Sequence, residues 1–377
     1  MIRATRRSQV DWWLFAAVGG LMVVSPLVVW SATQNGQAVG GASGTTYLIK
    51  QLVNIGVGVV LMVVAMRTDY RMIRLLTPIV YLGSVLGLVL VLVIGTNVNG
   101  HKAWIQFGPI SIQPAEFAKL AVVVSMALVI AERSERRGRA THSVTGKDLV
   151  AMLALVVPPA LLIILQPDLG TEIVLGVTVF GVLAIAGTPA KWLGGMAAAT
   201  LIGIVVIVQA HLLKQYQLNR FMAFTNPHLD PQGAGFNVQQ AKIAIGDGGW
   251  FGQGLLNGQV TRSGLVPEQH TDFVFTVVGE ELGLVGALVV IGLLGLILWR
   301  CLVIARNSPD LFGRVCAAGF ATWFGFEAFE NAGMCLGIMP VTGVPLPFVS
   351  YGGSAMFACL AAVGLLQNFH RRAVRAL

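Results

Sequence analysis

The sequence predicts an all-α fold, a polytopic membrane protein of ten transmembrane helices, and three observations lead there. Of its 377 residues 55% are hydrophobic and only 11% charged, with a mean hydropathy of +0.77, a balance foreign to soluble domains. Apolar runs of the ~20 residues needed to cross a ~30 Å hydrocarbon core recur from one end of the chain to the other. Basic residues crowd into alternate connections between those runs.

The first span, 12–30, follows Arg3, Arg6 and Arg7 as a signal peptide would, but it is longer than the apolar region of a cleaved signal and is expected to be retained. Spans at 47–66 and 75–95 are joined by a connection holding Arg67, Arg71 and Arg74. The fourth, 114–131, opens at Gln113-Pro114, with proline in a favoured first-turn position. A basic connection from Arg133 to Lys147 leads to the fifth, 149–165, and a second Gln-Pro pair, Gln166-Pro167, opens the sixth, 171–187. Spans at 192–212, 272–299, 314–337 and 352–369 complete the set. An even number of crossings puts both termini on one side. Since 18 of the 25 Lys and Arg residues fall there, that side is expected to be the cytoplasm. The net charge of +8 is then a topology signal, and no nucleic acid is expected as a partner. The whole chain, 1–377, reads as one transmembrane domain with a single large extracytoplasmic loop, 212–271, between the seventh and eighth helices. Within that loop Val238, Ala241 and Ile245 recur at helical spacing before Gly246, and Trp250-Phe251 follows, which predicts a helix lying on the membrane surface as an interfacial anchor. Cys301, Cys316, Cys335 and Cys359 show no metal-ligand spacing and read as packing residues.

Ionisable groups inside a bilayer are costly, so each is a candidate for function. Glu116 and Lys119 share a face of the fourth helix at i, i+3, either as a plain intrahelical pair or as part of a site. Asp168 opens the sixth helix, as a cap or as a ligand. His270-Thr271-Asp272 leads into the eighth, where Glu280 and Glu281 lie ~12 Å deeper at ~1.5 Å per residue. Glu327 and Glu330 fall in the outer half of the ninth. The acids thus gather on the external side, and such an excess requires raised pKa values, a bound cation, or bases such as Lys214, Arg220, Lys242 and Arg262 from the loop. The even-numbered helices all start outside, and their positive dipole ends favour anionic ligands there. The tenth begins Ser350-Tyr351-Gly352-Gly353-Ser354, whose glycines suit either a phosphate or close helix packing. Pro340 to Pro347 cannot form a regular helix, so Pro345 and its neighbours are expected to line a cavity. Two classes survive: an enzyme acting on an amphiphile at the outer leaflet with Asp272 as general base, and a proton- or cation-coupled transporter.

The run from Gly337 through Pro340, Pro345 and Pro347 to Ser354 closely resembles the signature of the SEDS family (shape, elongation, division and sporulation). So do Trp104, Gln113-Pro114 through Lys119, Gln166 through Thr171, and Pro267-Glu268-Gln269-His270-Thr271-Asp272-Phe273 through Gly283. The likeness covers nearly the whole chain in order, and the loop from Phe236 to Gly254 looks closer to the elongation branch, RodA-like, than to the division branch. Ala115, Ala241, Glu327 and Glu330 depart from the family's usual residues.

The resemblance implies a peptidoglycan glycosyltransferase of the bacterial cytoplasmic membrane, polymerising lipid II at its outer face. Lipid II, the nascent lipid-linked glycan strand, membrane lipid and a class B penicillin-binding protein transpeptidase are the implied partners. Asp272 matches the family's essential aspartate, implying the general base. Glu116, Lys119, Trp104, Gln113, Asp168, Arg220, His270, Pro345, Ser350, Tyr351, Gly352 and Gly353 are the implied substrate-binding set. A pyrophosphate leaving group needs positive charge from Lys119, Arg220, helix ends, or a divalent cation, Mg or Mn, held by acids including Glu116. The rival expectation is a lipid II flippase.

Overall fold

A computed structural model of the chain describes residues 9–34, 43–98, 101–107, 110–138, 144–209 and 233–376. Lys214 and Arg220 lie outside them. A helix falls on each predicted span within the described residues: α1 (Trp12–Thr33), α2 (Gly44–Arg67), α3 (Tyr70–Ile94), α4 (Pro114–Arg137), α5 (Gly146–Leu165), α6 (Leu169–Ile185), α7 (Ala190–Gln209), and, after two loop helices, α8 (Ala234–Asp247) and α9 (Gln259–Ser263), also α10 (Val274–Asn307), α11 (Leu311–Leu336) and α12 (Gly353–Ala376). Among the described residues six helices, α1 to α5 and α10, are long and apolar enough to cross a membrane by length and composition.

The mostly helical fold fits the all-α expectation, with one small addition. Between α3 and α4 the chain forms a small antiparallel sheet, β1 (Thr96–Val98), β2 (His101–Phe107) and β3 (Ile110–Ile112), in the order β1-β2-β3. Alternation explains it: Ala103 and Ile105 turn inward while Lys102 and Gln106 are exposed, the period-two pattern of a half-buried strand. The strands are too short for hydropathy to separate from the flanking spans.

Core and periphery follow from which helices are wrapped. Of the most apolar stretch of α4, 83% is buried, against 17% for α2 and 22% for α3. α4 packs on α3, α5, α6, α11 and α12, and small residues allow the approach. A Cβ at Gly319 of α11 would lie 2.7 Å from a Val123 methyl on α4 and 2.8 Å from a Val182 methyl on α6.

The loop helix α8 forms where its spacing predicts, but its apolar stripe turns to protein. Val238, Ala241 and Ala244 are buried, and α8 packs against α10 and α11 rather than lying on the bilayer by that face. α10 itself breaks at Gly283, whose φ of 66° and ψ of −168° are outside the helical range.

Candidate active site

The candidate base sits in a single tight turn. The Glu268 carbonyl accepts N–H bonds from Thr271 (3.2 Å), Asp272 (3.1 Å) and Phe273 (3.2 Å), and α10 starts at the next residue. Glu268 takes a left-handed φ of 54°, an uncommon conformation for a residue with a side chain and one that recurs at functional turns. Asp272 is half-buried at the head of α10.

The proline-rich segment is irregular, as expected, and is stitched to that turn. Asn331 of α11, fully buried, donates from Nδ2 to the Asp272 carbonyl (2.6 Å) and to the Val344 carbonyl (2.7 Å) beside Pro345. Ser350 Oγ donates to the Thr271 carbonyl (2.5 Å) and accepts from the Leu346 N–H (2.8 Å). The Tyr351 N–H donates to the His270 carbonyl at 2.8 Å. Behind these, Ser25 Oγ donates to the Val349 carbonyl (2.7 Å), and Gln51 Nε2 donates to Ser25 Oγ (2.8 Å) and the Ser350 carbonyl (3.2 Å). The rings of Tyr47, His270 and Tyr351 meet at 5.1 to 5.5 Å. Burial pushes the His270 imidazole below its ordinary pKa, and the Glu268 carboxylate opposes that shift.

Other helix heads are joined by the same kind of bond. The Gln113 N–H donates to Ser354 Oγ in α12 (2.8 Å), and Gln113 Nε2 donates to Asp168 Oδ2 (3.0 Å). Asp168 also caps α6, accepting from the Thr171 N–H (3.0 Å) and hydroxyl (2.8 Å), so it is both cap and organiser. A Cβ on Gly170 would lie 2.6 Å from the Thr342 carbonyl, which brings the head of α6 against the proline-rich segment. The two glycines before and at α12 separate in role. A Cβ on Gly353 would crowd Asn54 Oδ1 at 3.0 Å, whereas beside Gly352 the nearest atom is the Ala355 Cβ at 3.9 Å. Close packing explains the former, and the latter keeps open space.

Glu116 and Lys119 pair as their spacing predicts, with Lys119 Nζ 2.8 Å from Glu116 Oε1. A third group joins them: Glu327 of α11 closes an ion pair with the same ammonium, over the Trp323 ring. All three side chains are buried, and Lys119 stands between the two carboxylates. The ammonium therefore fills the position a divalent cation would need, which argues against Glu116 as a metal ligand. Among the described residues no three His, Cys, Asp or Glu side chains gather as a metal-ligand set.

Glu280 and Glu281, candidates by their depth alone, are accounted for by the loop. Glu280 accepts from the N–H groups of Val260 (2.7 Å) and Thr261 (2.9 Å) and from the Thr261 hydroxyl (2.6 Å), capping α9 from another element. Glu281 accepts from Ser31 of α1. Trp104 lies half-buried on β2 opposite Thr96 and shares none of the bonds that join the helix heads.

Residues 10–374 match the cell cycle protein family of FtsW, RodA and SpoVE. The chain belongs to that family. It is 38% identical over 351 residues to the peptidoglycan glycosyltransferase MrdB of Escherichia coli K12, covering 93% of this chain and 90% of the relative. Stage V sporulation protein E of Bacillus subtilis is 35% identical over 363 residues, 95% of this chain and 94% of the relative. Among solved structures, a chain of a peptidoglycan synthase complex that coordinates polymerization and crosslinking superposes with a TM-score of 0.79 at 32% identity, covering 97% of this chain and 98% of that one. The rod shape determining protein RodA of Thermus thermophilus superposes with a TM-score of 0.69 at 31% identity, covering 96% and 97%.

In this FtsW/RodA/SpoVE chain, sequence reasoning missed Asn331, Gln51, Ser25 and Tyr47, which hold the site from behind. A signal was present for two of them. A carboxamide within a membrane-length helix needs hydrogen-bond partners much as a charge does, and both Gln51, beside Lys50, and Asn331, beside Glu330, lie inside predicted spans.

Proposed function

We propose that this chain is a peptidoglycan glycosyltransferase of the RodA-like elongation branch, polymerising lipid II at the outer face of the bacterial cytoplasmic membrane. Ten crossings with cytoplasmic termini fit the distribution of basic residues and put Asp272 on the outer side. The observation that carries the mechanism is the half-buried Asp272, reachable at the head of α10 while its backbone is clamped by Asn331 and by the turn on Glu268. Its carboxylate takes the proton from the 4-hydroxyl of the acceptor GlcNAc. That oxygen attacks C-1 of the donor MurNAc as the bond to undecaprenyl pyrophosphate breaks, and inversion gives a β linkage. One base suffices for this single displacement, unlike the carboxylate pair of glycoside hydrolysis.

The leaving pyrophosphate meets the heads of α4, α6, α10 and α12, whose positive dipole ends favour an anion. The open space beside Gly352 lies at one of these heads. Lys119, already neutralised by two carboxylates, supports the site by joining α4 to α11. A class B penicillin-binding protein is the proposed partner that crosslinks the strand. The similarity to a chain of a polymerizing and crosslinking synthase complex supports that assignment.

Purified protein given lipid II separates this reading from a flippase. Glycan polymer is expected, and Asp272→Ala should lower its rate by about 100-fold or more, the usual worth of a general base, while the variant stays folded. Lipid II translocation without polymer would overturn the assignment.

A further inference from the structure

We propose that Trp250 and Phe251 form a membrane wedge, seated in the lipid headgroup region of the leaflet on the Asp272 side and bolted to α10 through its break. The inference stands apart from the catalytic reading, since it concerns only what covers this loop.

The loop 249–254 supplies what the broken helix lacks. At Gly283 the α10 ladder is interrupted, and the orphaned groups pair with the loop. The Gln253 N–H donates to the Glu280 carbonyl (3.0 Å) and the Gly254 N–H to the Glu281 carbonyl (3.0 Å). The Leu284 N–H donates to the Gly249 carbonyl (2.9 Å) and the Val285 N–H to the Trp250 carbonyl (3.1 Å). Backbone meets backbone so closely that only glycine fits. A Cβ on Gly252 would stand 2.1 Å from the Glu281 carbonyl oxygen, and one on Gly283 2.3 Å from the Gly252 nitrogen. Backbone satisfied in this way can sit at membrane depth, where unpaired polar groups cannot.

The two side chains at the tip point away from this joint. Trp250 is 70% exposed and Phe251 82% exposed, adjacent large aromatics on a segment otherwise fixed to the protein. Their height follows from α10. Its 34 residues would rise ~51 Å, far beyond a ~30 Å hydrocarbon core, so one end must stand outside it. From Gly283 to Trp299 the rise is ~24 Å. Trp299 is exposed, and the Arg300 guanidinium lies 5.1 Å from its ring, the pairing of aromatic and basic residue found at a membrane boundary. Trp250, hydrogen-bonded to Val285 ~21 Å from Trp299, therefore falls ~9 Å from the opposite edge of a ~30 Å core, within the ~5–10 Å at the headgroup–acyl boundary where interfacial aromatic rings seat.

The test uses the full chain in phosphatidylethanolamine–phosphatidylglycerol vesicles. The four native cysteines are buried, so Phe251→Cys introduces the reactive thiol, labelled with an environment-sensitive fluorophore. Trp250→Cys serves as a second position, and Asn257→Cys as the exposed comparison on the same loop. At 250 and 251, quenching by lipids doxyl-labelled near the headgroup should exceed that at 257 by at least about threefold, with the order reversed for aqueous iodide. Iodide quenching at 250 and 251 equal to that at 257, without lipid quenching, would overturn the wedge and leave the aromatics as a surface for water or a partner protein.

Discussion

Asn331 makes no contact that a charge-based search would notice, yet its amide holds two carbonyls from distant parts of the chain, one belonging to Asp272. Asn331→Leu leaves both carbonyls without that donor in a buried setting, each at a cost of about 1–3 kcal/mol. The thermal midpoint in detergent should fall. If the bond positions the base, kcat for polymerisation should fall tenfold or more with KM nearly unchanged, whereas a purely structural loss would lower the amount of folded enzyme and leave kcat per active molecule alone. His270 gives a pH signature. Its folded pKa is depressed by burial, so the unfolded chain binds the proton first. The stabilisation is complete above the ordinary value of 6.5 and is lost as pH falls through the lower folded value. Thermal midpoints measured from pH 7.5 downward should decline more steeply below 6.5 for the natural chain than for His270→Gln.

Between elements, buried charge decides how α4 meets α11. Lys119→Met leaves Glu116 and Glu327 facing each other without their cation, and stranding a buried partner costs about 3–5 kcal/mol. A large drop in thermal midpoint is expected. Replacing all three, as Lys119→Met with Glu116→Leu and Glu327→Leu, should recover most of that loss, because a well-packed apolar cluster can be as stable as the ion network it replaces. A triple variant that is no more stable than Lys119→Met would show that the charges are not the reason for the loss. At this scale the sequence was only half legible. The i, i+3 spacing disclosed the Glu116–Lys119 pair, but Glu327 comes from 208 residues away and nothing local points to it. Glu280 and Glu281 show the converse: depth marked them for chemistry, and the fold spends Glu280 on the head of α9 and Glu281 on Ser31 of α1.

For the whole molecule, the asymmetry of the basic residues supports the proposed orientation with cytoplasmic termini. The four native cysteines are buried, so introduced thiols report topology directly. With a membrane-impermeant maleimide on intact cells, Asn257→Cys should label without treatment, and Arg136→Cys, in the last turn of α4, only once the membrane is permeabilised. The opposite pattern would invert the proposed orientation and move Asp272 away from the outer face.

The sequence alone determined the membrane class, the positions of the helices, the irregular proline-rich segment and the family. Each of these rests on local properties: the length of an apolar run, the missing N–H of proline, the order of motifs along the chain. Tertiary structure decided which polar groups meet. Gln113 finds Ser354 across 241 residues, Asp272 is held by Asn331 across 59, and the α10 backbone is completed by the backbone of a preceding loop. Such pairings depend on how helices cross rather than on any one helix, because a buried donor takes whichever acceptor the packing brings within about 3 Å.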